Sequence, residues 1–106
     1  MAVITVGGTP VHTRGSLPAV GSRAPDFLLT GADLKDVRLA DFKGKRRILS
    51  IVTSLDTGTC AASARRFNQE ASRLPNVVIL TISNDLPFAQ KRFCEAEGID
   101  RVVPLS

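Results

Sequence analysis

Several residue types that carry recognisable chemistry are scarce in this sequence. Its 106 residues contain no tryptophan, no tyrosine, one histidine and two cysteines. Single-stranded nucleic acids are usually bound by aromatic side chains in a basic groove, whereas the net charge of +4 here comes from basic residues scattered among acidic ones. His12 and two distant cysteines do not have the ligand spacing of a zinc site. We therefore expect no nucleic-acid partner, no metal and no other cofactor.

Long hydrophobic segments are also missing. An apolar run such as Val77–Leu80 has four residues, whereas a membrane-spanning helix needs about 20. The first ten residues lack the basic and apolar regions of a secretory signal, and two cysteines are too few for a secreted disulfide scaffold. With 43% apolar and 23% charged residues, the composition is that of a globular domain. These features predict a cytoplasmic protein that does not associate with membranes.

The chain has no internal repeat, linker or low-complexity segment, so we interpret residues 1–106 as a single domain. The segments VITV and PVHT flank Gly7 and Gly8, which predicts a peripheral β-hairpin. DFLLT and DVRLA predict two short strands around a turn. The apolar, β-branched run RRILSIVTS is typical of a strand buried on both faces of a parallel sheet. NVVILTIS predicts a second such strand, and RVVPLS begins like a third.

Two amphipathic helices are predicted between these last strands. The first begins near Cys60, ends near Pro75, and has an inward stripe formed by Cys60, Ala64, Phe67, Ala71 and Leu74. Asp56 and Thr57, in the preceding loop, are candidates for its capping residues. The second helix carries Cys94, with Pro87 in its first turn and Gly98 at its end. Its predicted stripe is formed by Leu86, Ala89, Phe93 and Ala96.

Strands and helices that alternate in this order predict an α/β fold, with a mostly parallel sheet and helices on its faces. In such folds, reactive residues collect where the strands end and the helices begin. Cys60 directly follows the segment that leads out of RRILSIVTS. It is therefore the first candidate for a functional residue.

Cys60 has two interpretations. The N–H groups in the first turn of a helix lower the pKa of a thiol and favour the thiolate, and Thr57 supplies a hydroxyl three residues earlier. On the other interpretation, Cys60 is a small buried hydrophobic residue. A C-x-x-C oxidoreductase is excluded because Ala61–Ser63 follow Cys60. Redox chemistry then means attack on an external oxidant, a sulfenic acid at Cys60, and its condensation with another thiol.

Two segments, SLDTGTCAASARRFNQEA and ISNDLPFAQKRFCEAEGI, resemble the atypical two-cysteine peroxiredoxins called thiol peroxidases. The upstream segment GSRAPDFLLTGADLKDVRLADFKGKRRILSIV is similar to the first strands of the same family. The resemblance extends over essentially the whole chain. It implies a thioredoxin-like fold and the reduction of hydrogen peroxide and organic hydroperoxides.

The resemblance also implies a role for three residues. Cys60 corresponds to the peroxidatic cysteine, and Cys94 corresponds to the resolving cysteine that forms an intramolecular disulfide with Cys60. Thr57 corresponds to the residue whose hydroxyl holds the thiolate and the peroxide oxygen. Thioredoxin is the implied reductant of the disulfide.

Two features depart from the family pattern. The family motif usually reads Pro-x-x-x-Thr-x-x-Cys, and Thr53 stands in place of its proline. Family members also continue beyond VVPLS into further strands, an arginine that pairs with the peroxidatic thiolate, and a final helix. We therefore expect a domain that is incomplete at its C-terminus, with an exposed sheet edge, association into a homodimer and reduced activity. An inactive fragment and a thiol-based redox sensor are the alternatives.

Overall fold

The computed structural model describes residues 2–106, which form strands, two α-helices and a short 3-10 helix. In chain order these elements are β1 (Val3–Val6), β2 (Thr9–His12), β3 (Leu28–Thr30), β4 (Asp36–Arg38), the 3-10 helix (Leu39–Phe42), β5 (Arg46–Ile51), α1 (Gly58–Ala71), β6 (Val77–Ile82), α2 (Pro87–Glu97) and β7 (Val102–Leu105). The predicted alternation of strands and helices is confirmed from β5 to β7. Neither α1 nor α2 is long and apolar enough to cross a bilayer.

The N-terminal hairpin is formed by β1 and β2, which pair in antiparallel orientation. Gly7 and Gly8 join them with φ angles of 57° and 84°. Positive φ at both central residues is what a type I′ turn requires, and glycine adopts it without steric cost. Both strands are largely exposed to solvent. The prediction of a peripheral hairpin is therefore confirmed.

The central sheet is parallel and has the strand order β5-β6-β7. The middle strand β6 is well buried, with Ile79 and Leu80 enclosed on opposite faces. By contrast, β5 lies at the edge, and Ile51 is 74% exposed. The prediction that RRILSIVTS is buried on both faces is wrong, because only the face that carries Ile48 packs against a core, while Leu49 and Ile51 on the other face are exposed. Within residues 2–106, no strand pairs with the outer side of β5. The expected exposed edge is present there.

The two faces of this sheet are covered by different elements. On one face, α1 and α2 pack together with the sheet around a buried core of Leu55, Ala64, Ile79, Ile99 and Val102. On the other face, the antiparallel pair β3–β4 and the 3-10 helix pack around Leu39, Leu80 and Leu105. Both described α-helices thus cover the same face, which corrects the expectation of helices on both faces.

The predicted helical stripes are only partly correct. In α1, Ala64 is buried and the side chains of Phe67 and Ala71 pack against the core, but Leu74 lies beyond the end of the helix and is exposed.

In α2 the inward face is rotated relative to the prediction, since Leu86 is 67% exposed while Pro87 and Gln90 are buried. A stripe drawn from apolar residues alone omits Gln90. Its amide nitrogen donates to Ser83 Oγ and to the Leu105 carbonyl oxygen, both at 2.9 Å, which allows this polar side chain to be buried.

Candidate active site

The candidate site lies where β5 and β6 end side by side. Ile51 is paired with Ile82, and the N–H of Val52 still donates to the Ile82 carbonyl oxygen at 2.9 Å. Beyond this point the two strands continue into neighbouring segments, residues 52–57 before α1 and residues 83–86 before α2. Because parallel strands end at the same edge of a sheet, polar side chains from both segments meet there.

Cys60 is the third residue of α1, and Thr57 occupies the N-cap position. The Thr57 side chain makes no capping bond to the helix; instead, its hydroxyl donates to the carbonyl oxygen of Ser54 at 2.8 Å. Of the two predicted capping candidates, Thr57 therefore occupies the N-cap position without a side-chain capping bond, and Asp56 lies one residue before it. The Thr57 hydroxyl thus turns back into the loop.

The environment of Cys60 favours its thiolate. A hydrogen bond with the Thr57 side chain, followed by backbone hydrogen bonds from Ser54 and Thr53, lowers the pKa of the Cys60 thiol, against a smaller effect of burial and the negative charge of Asp85. The direction agrees with the prediction from sequence. The groups responsible differ, because they belong to the loop before α1 and not to the first turn of the helix.

Cys94 has the opposite environment. It lies on α2, packs against the apolar core, and lines a cavity of about 10 Å³ together with Ala64, Phe93 and Val102. Burial raises the pKa of the Cys94 thiol. Both cysteines are free thiols in this structure. The structure therefore separates one thiol that ionises readily from a second that is shielded.

The two helices that carry the cysteines are tied together at their surface. The Arg65 guanidinium on α1 binds the Glu97 carboxylate at the end of α2 through two hydrogen bonds of 3.1 and 3.2 Å. Farther along α1, Asn68 Oδ1 accepts the backbone N–H groups of Asp100 and Arg101 at 3.1 and 2.7 Å. These contacts restrain the C-terminal end of α2 against α1.

Asp85 belongs to the site but is absent from the residues predicted from sequence. It lies in the segment between β6 and α2, and its carboxylate binds the Ser54 hydroxyl and the Leu55 N–H on the other side of the site. The rule that selects Cys60 also selects Asp85, because both follow the ends of adjacent parallel strands. The residues Asn84 and Asp85, which directly follow NVVILTIS, were the available signal.

The remaining ionisable groups do not form a metal site. Within residues 2–106, the side chains of His, Cys, Asp and Glu form no group of three that could hold a metal ion.

A parallel sheet with helical connections, and a low-pKa thiol in the first turn of the first of these helices, define a thioredoxin-like α/β protein. The chain belongs to the Redoxin family, whose sequence model matches residues 19–106. The predicted fold and the resemblance to thiol peroxidases are thereby confirmed.

Known proteins similar to this chain include two curated thiol peroxidases. The protein from Oceanobacillus iheyensis is 54% identical over 106 residues, which cover 100% of this chain and 65% of the relative. The protein from Streptococcus pneumoniae (strain ATCC BAA-255 / R6) is 52% identical over 104 residues, which cover 98% of this chain and 64% of the relative. The chain therefore spans about two thirds of the length of these relatives.

A solved structure shows the same arrangement. A peroxiredoxin-like protein from Aquifex aeolicus superimposes with a TM-score of 0.89 and 35% sequence identity, over 98% of this chain and 61% of that chain. The sheet, helices and N-terminal hairpin described above therefore correspond to part of a peroxiredoxin-like fold.

Proposed function

We propose that this chain acts as a thiol-dependent peroxidase with Cys60 as the peroxidatic cysteine. The observation that carries the proposal is the position of Cys60 in the first turn of α1, beyond the end of β5, where Thr57 and the backbone of residues 53–54 lower the pKa of its thiol. A thiolate is the nucleophilic form of cysteine, and it is needed to attack a peroxide at neutral pH. The similarity to proteins named thiol peroxidases supports the same chemistry.

The first step oxidises Cys60. Its thiolate attacks one oxygen of the peroxide, so that an S–O bond forms while the O–O bond breaks, and the other oxygen leaves and takes up a proton as water or an alcohol. For this step the Thr57 hydroxyl, whose proton is donated to the Ser54 carbonyl oxygen in the described structure, must turn so that it holds the thiolate and the peroxide oxygen, donating to one and accepting from the other. Hydrogen peroxide and organic hydroperoxides are the proposed substrates.

The second step forms a disulfide. The Cys94 sulfur attacks the sulfenic acid at Cys60, the S–S bond forms, the S–O bond breaks, and the oxygen leaves as water. Cys94 must first leave the apolar core, because a disulfide needs Cα atoms within about 7 Å and correctly directed side chains. Thioredoxin then reduces the disulfide by thiol–disulfide exchange and restores both thiols.

The proposal is tested by peroxide-dependent oxidation of reduced thioredoxin in the presence of the purified chain. Turnover is expected for the parent and is lost in Cys60→Ser. Cys94→Ser, the matched variant at the second thiol, should instead accumulate a sulfenic acid at Cys60 that a dimedone probe labels. A parent chain with no peroxide-dependent turnover contradicts the proposal. Formation of the disulfide without turnover identifies a redox sensor, and no oxidation at all identifies an inactive fragment.

We further propose that the chain works in the cytoplasm as a homodimer. Exposed apolar side chains on the edge strand β5, among them Leu49 and Ile51, support association between two copies. Sedimentation velocity at several protein concentrations tests this part of the proposal, and a monomer at all concentrations would refute it.

A further inference from the structure

The carboxylate of Asp85 connects the two segments that meet at the site. Its Oδ1 accepts the Ser54 hydroxyl at 2.6 Å, and its Oδ2 accepts the Leu55 N–H at 2.8 Å. On its own side of the site, Oδ2 also accepts the Ser83 hydroxyl at 2.8 Å. Both oxygens are thus occupied, and they hold the loop before α1 against the segment before α2.

Ser54, which Asp85 binds, organises the surroundings of Cys60. The Ser54 carbonyl oxygen accepts the Thr57 hydroxyl at 2.8 Å and the Thr57 N–H at 3.1 Å. The Ser54 hydroxyl oxygen accepts the N–H of Asp56 at 3.1 Å. A backbone hydrogen bond from Ser54 also lowers the pKa of the Cys60 thiol. Movement of Ser54 would therefore displace two of the groups that stabilise the thiolate.

We propose that Asp85 is a positioning residue for Cys60: its carboxylate fixes the Ser54–Leu55 backbone, which in turn holds Thr57 at the start of the helix that carries Cys60. Asp85 acts through Ser54 and takes no part in the bonds that form or break. The inference rests on the proposed function only where it treats Cys60 as the reactive thiol.

The charge of Asp85 has an effect of its own, and this effect has the opposite sign. A negative charge near a thiol disfavours the thiolate, and the Asp85 carboxylate in fact raises the pKa of Cys60. Burial raises the pKa of Asp85 itself, but hydrogen bonds from Ser54, Leu55 and Ser83 outweigh burial and lower it. The carboxylate is therefore ionised at neutral pH. Its hydrogen bonds and its charge act on Cys60 in opposite directions.

Other charged side chains near Cys60 do not make the same connection. Asp56, in the same loop, is exposed to solvent. Arg65, on α1, is paired with Glu97. Among Asp56, Arg65 and Asp85, only Asp85 forms hydrogen bonds that link the loop before α1 to the segment after β6.

Two substitutions at Asp85 separate the two effects. Asp85→Ala removes the charge together with every hydrogen bond of the side chain. Asp85→Asn removes the charge but keeps an oxygen that can accept the Leu55 N–H, and its amide can donate to the Ser54 hydroxyl, which both donates and accepts. The alanine variant should therefore lose the positioning of Ser54, and the asparagine variant should largely keep it.

The test measures iodoacetamide alkylation of Cys60 against pH in a Cys94→Ser background. Asp85→Ala should shift the midpoint upward and slow alkylation at pH 7 by about twofold to tenfold, the range expected for one lost hydrogen bond. Asp85→Asn should shift the midpoint downward. Asp100→Asn is the control. The Asp100 N–H donates to Asn68, which lies on α1 eight residues, or about 12 Å, beyond Cys60. The control should leave the midpoint unchanged.

A downward shift in both Asp85 variants overturns the proposal, because Asp85 would then act only as a nearby charge. No shift in Asp85→Ala also overturns it, because the loss of positioning would then not exceed the loss of the charge. If circular dichroism shows that Asp85→Ala is unfolded, Ser54→Ala decides: it keeps the Asp85 charge and removes the hydrogen bonds of the Ser54 hydroxyl to Asp85 and to the Asp56 N–H. An upward shift supports the proposal, and an unchanged midpoint refutes it. No peroxide is used, so the result does not depend on whether the chain is a peroxidase.

Discussion

The ion pair between Arg65 and Glu97 should control how often Cys94 becomes accessible. It joins α1 to the last residue of α2, three residues after Cys94. Cys94 is shielded by the core, so a reagent must wait for local opening of α2 before it can react. We predict that Glu97→Gln, which removes the charge at nearly constant size, accelerates alkylation of Cys94.

The expected size of the effect follows from the exposure of the pair. The Arg65 and Glu97 side chains are 47% and 35% exposed, so solvent screens their attraction, although the two parallel hydrogen bonds improve its geometry. Pairs of this kind change an equilibrium by at most about fivefold. Alkylation of Cys94 should therefore accelerate by about twofold to fivefold, and the difference should shrink in 1 M salt, where the Debye length is about 3 Å.

The ionisation state of the pair fixes the pH of the assay. A hydrogen bond from Arg65, together with the charge of Arg65, lowers the pKa of Glu97. A carboxyl whose pKa is lowered in the folded state stabilises that state above its unfolded pKa of about 4.3, and the contribution is lost as the pH falls through the folded pKa. At pH 7 to 8 the contribution is fully present, so the assay in this range measures the intact pair.

The assay follows alkylation of Cys94 by mass spectrometry in a Cys60→Ser background. Glu70→Gln is the matched control, since Glu70 pairs with Arg66 at 3.0 Å within α1 and does not reach α2. The control should react at the parent rate. If Glu97→Gln also reacts at the parent rate, or if Glu70→Gln accelerates the reaction equally, the pair does not restrain Cys94.

Thr57→Val should raise the pKa of Cys60 and slow its oxidation by peroxide, because the largest contribution to the lowered pKa is the Thr57 hydroxyl. Rapid mixing measures the oxidation rate. A Thr57→Ser control, which keeps the hydroxyl, should keep the parent rate, and a slower rate would argue against a role for the hydroxyl. Leu105→Ala should destabilise the chain by about 2–5 kcal/mol in urea unfolding because Leu105 is fully buried, whereas Ile51→Ala on the exposed edge should stay within about 0.5 kcal/mol. Equal losses at the two positions would contradict the described burial.

Local patterns were sufficient to predict the order of the elements. The glycine pair at Gly7 and Gly8 is a strong turn signal, and the change from β-branched runs to helical periodicity located α1 and α2. Cys60 was found because the position after a parallel strand depends on sequence order alone. These features need no knowledge of which residues pack against one another.

Burial was predicted less well because it depends on distant neighbours. RRILSIVTS has the composition of a buried strand, yet β5 lies at the edge of the described sheet and its Leu49 and Ile51 side chains are exposed. No property internal to the segment reveals this exposure. Gln90 is 0% exposed although its side chain is polar. Its burial depends on Ser83 and Leu105, which lie on other elements. The position of Asp85 after β6 is accessible from sequence order, but its partners Ser54 and Leu55 are not, because they lie about 30 residues away.

The contacts of α2 indicate which end of the helix opens to release Cys94. Its N-terminal half is anchored by buried Pro87 and by the bonds of Gln90, and it directly follows Asp85, which holds the loop around Cys60. Opening from this end would disturb the groups that stabilise the thiolate.

The C-terminal half of α2 is held by more exposed contacts. They are the Arg65–Glu97 pair and the backbone bond from Ile99 to the Cys94 carbonyl oxygen, next to Gly98 in the left-handed conformation. Helix ends with exposed hydrogen bonds open at lower cost than buried segments. Opening from this end would free Cys94 while Asp85 still holds Ser54 and Leu55, so the same fold could shield the second thiol and keep the first one ionised. The acceleration expected for Glu97→Gln is a direct consequence, because Glu97 lies at the end that opens.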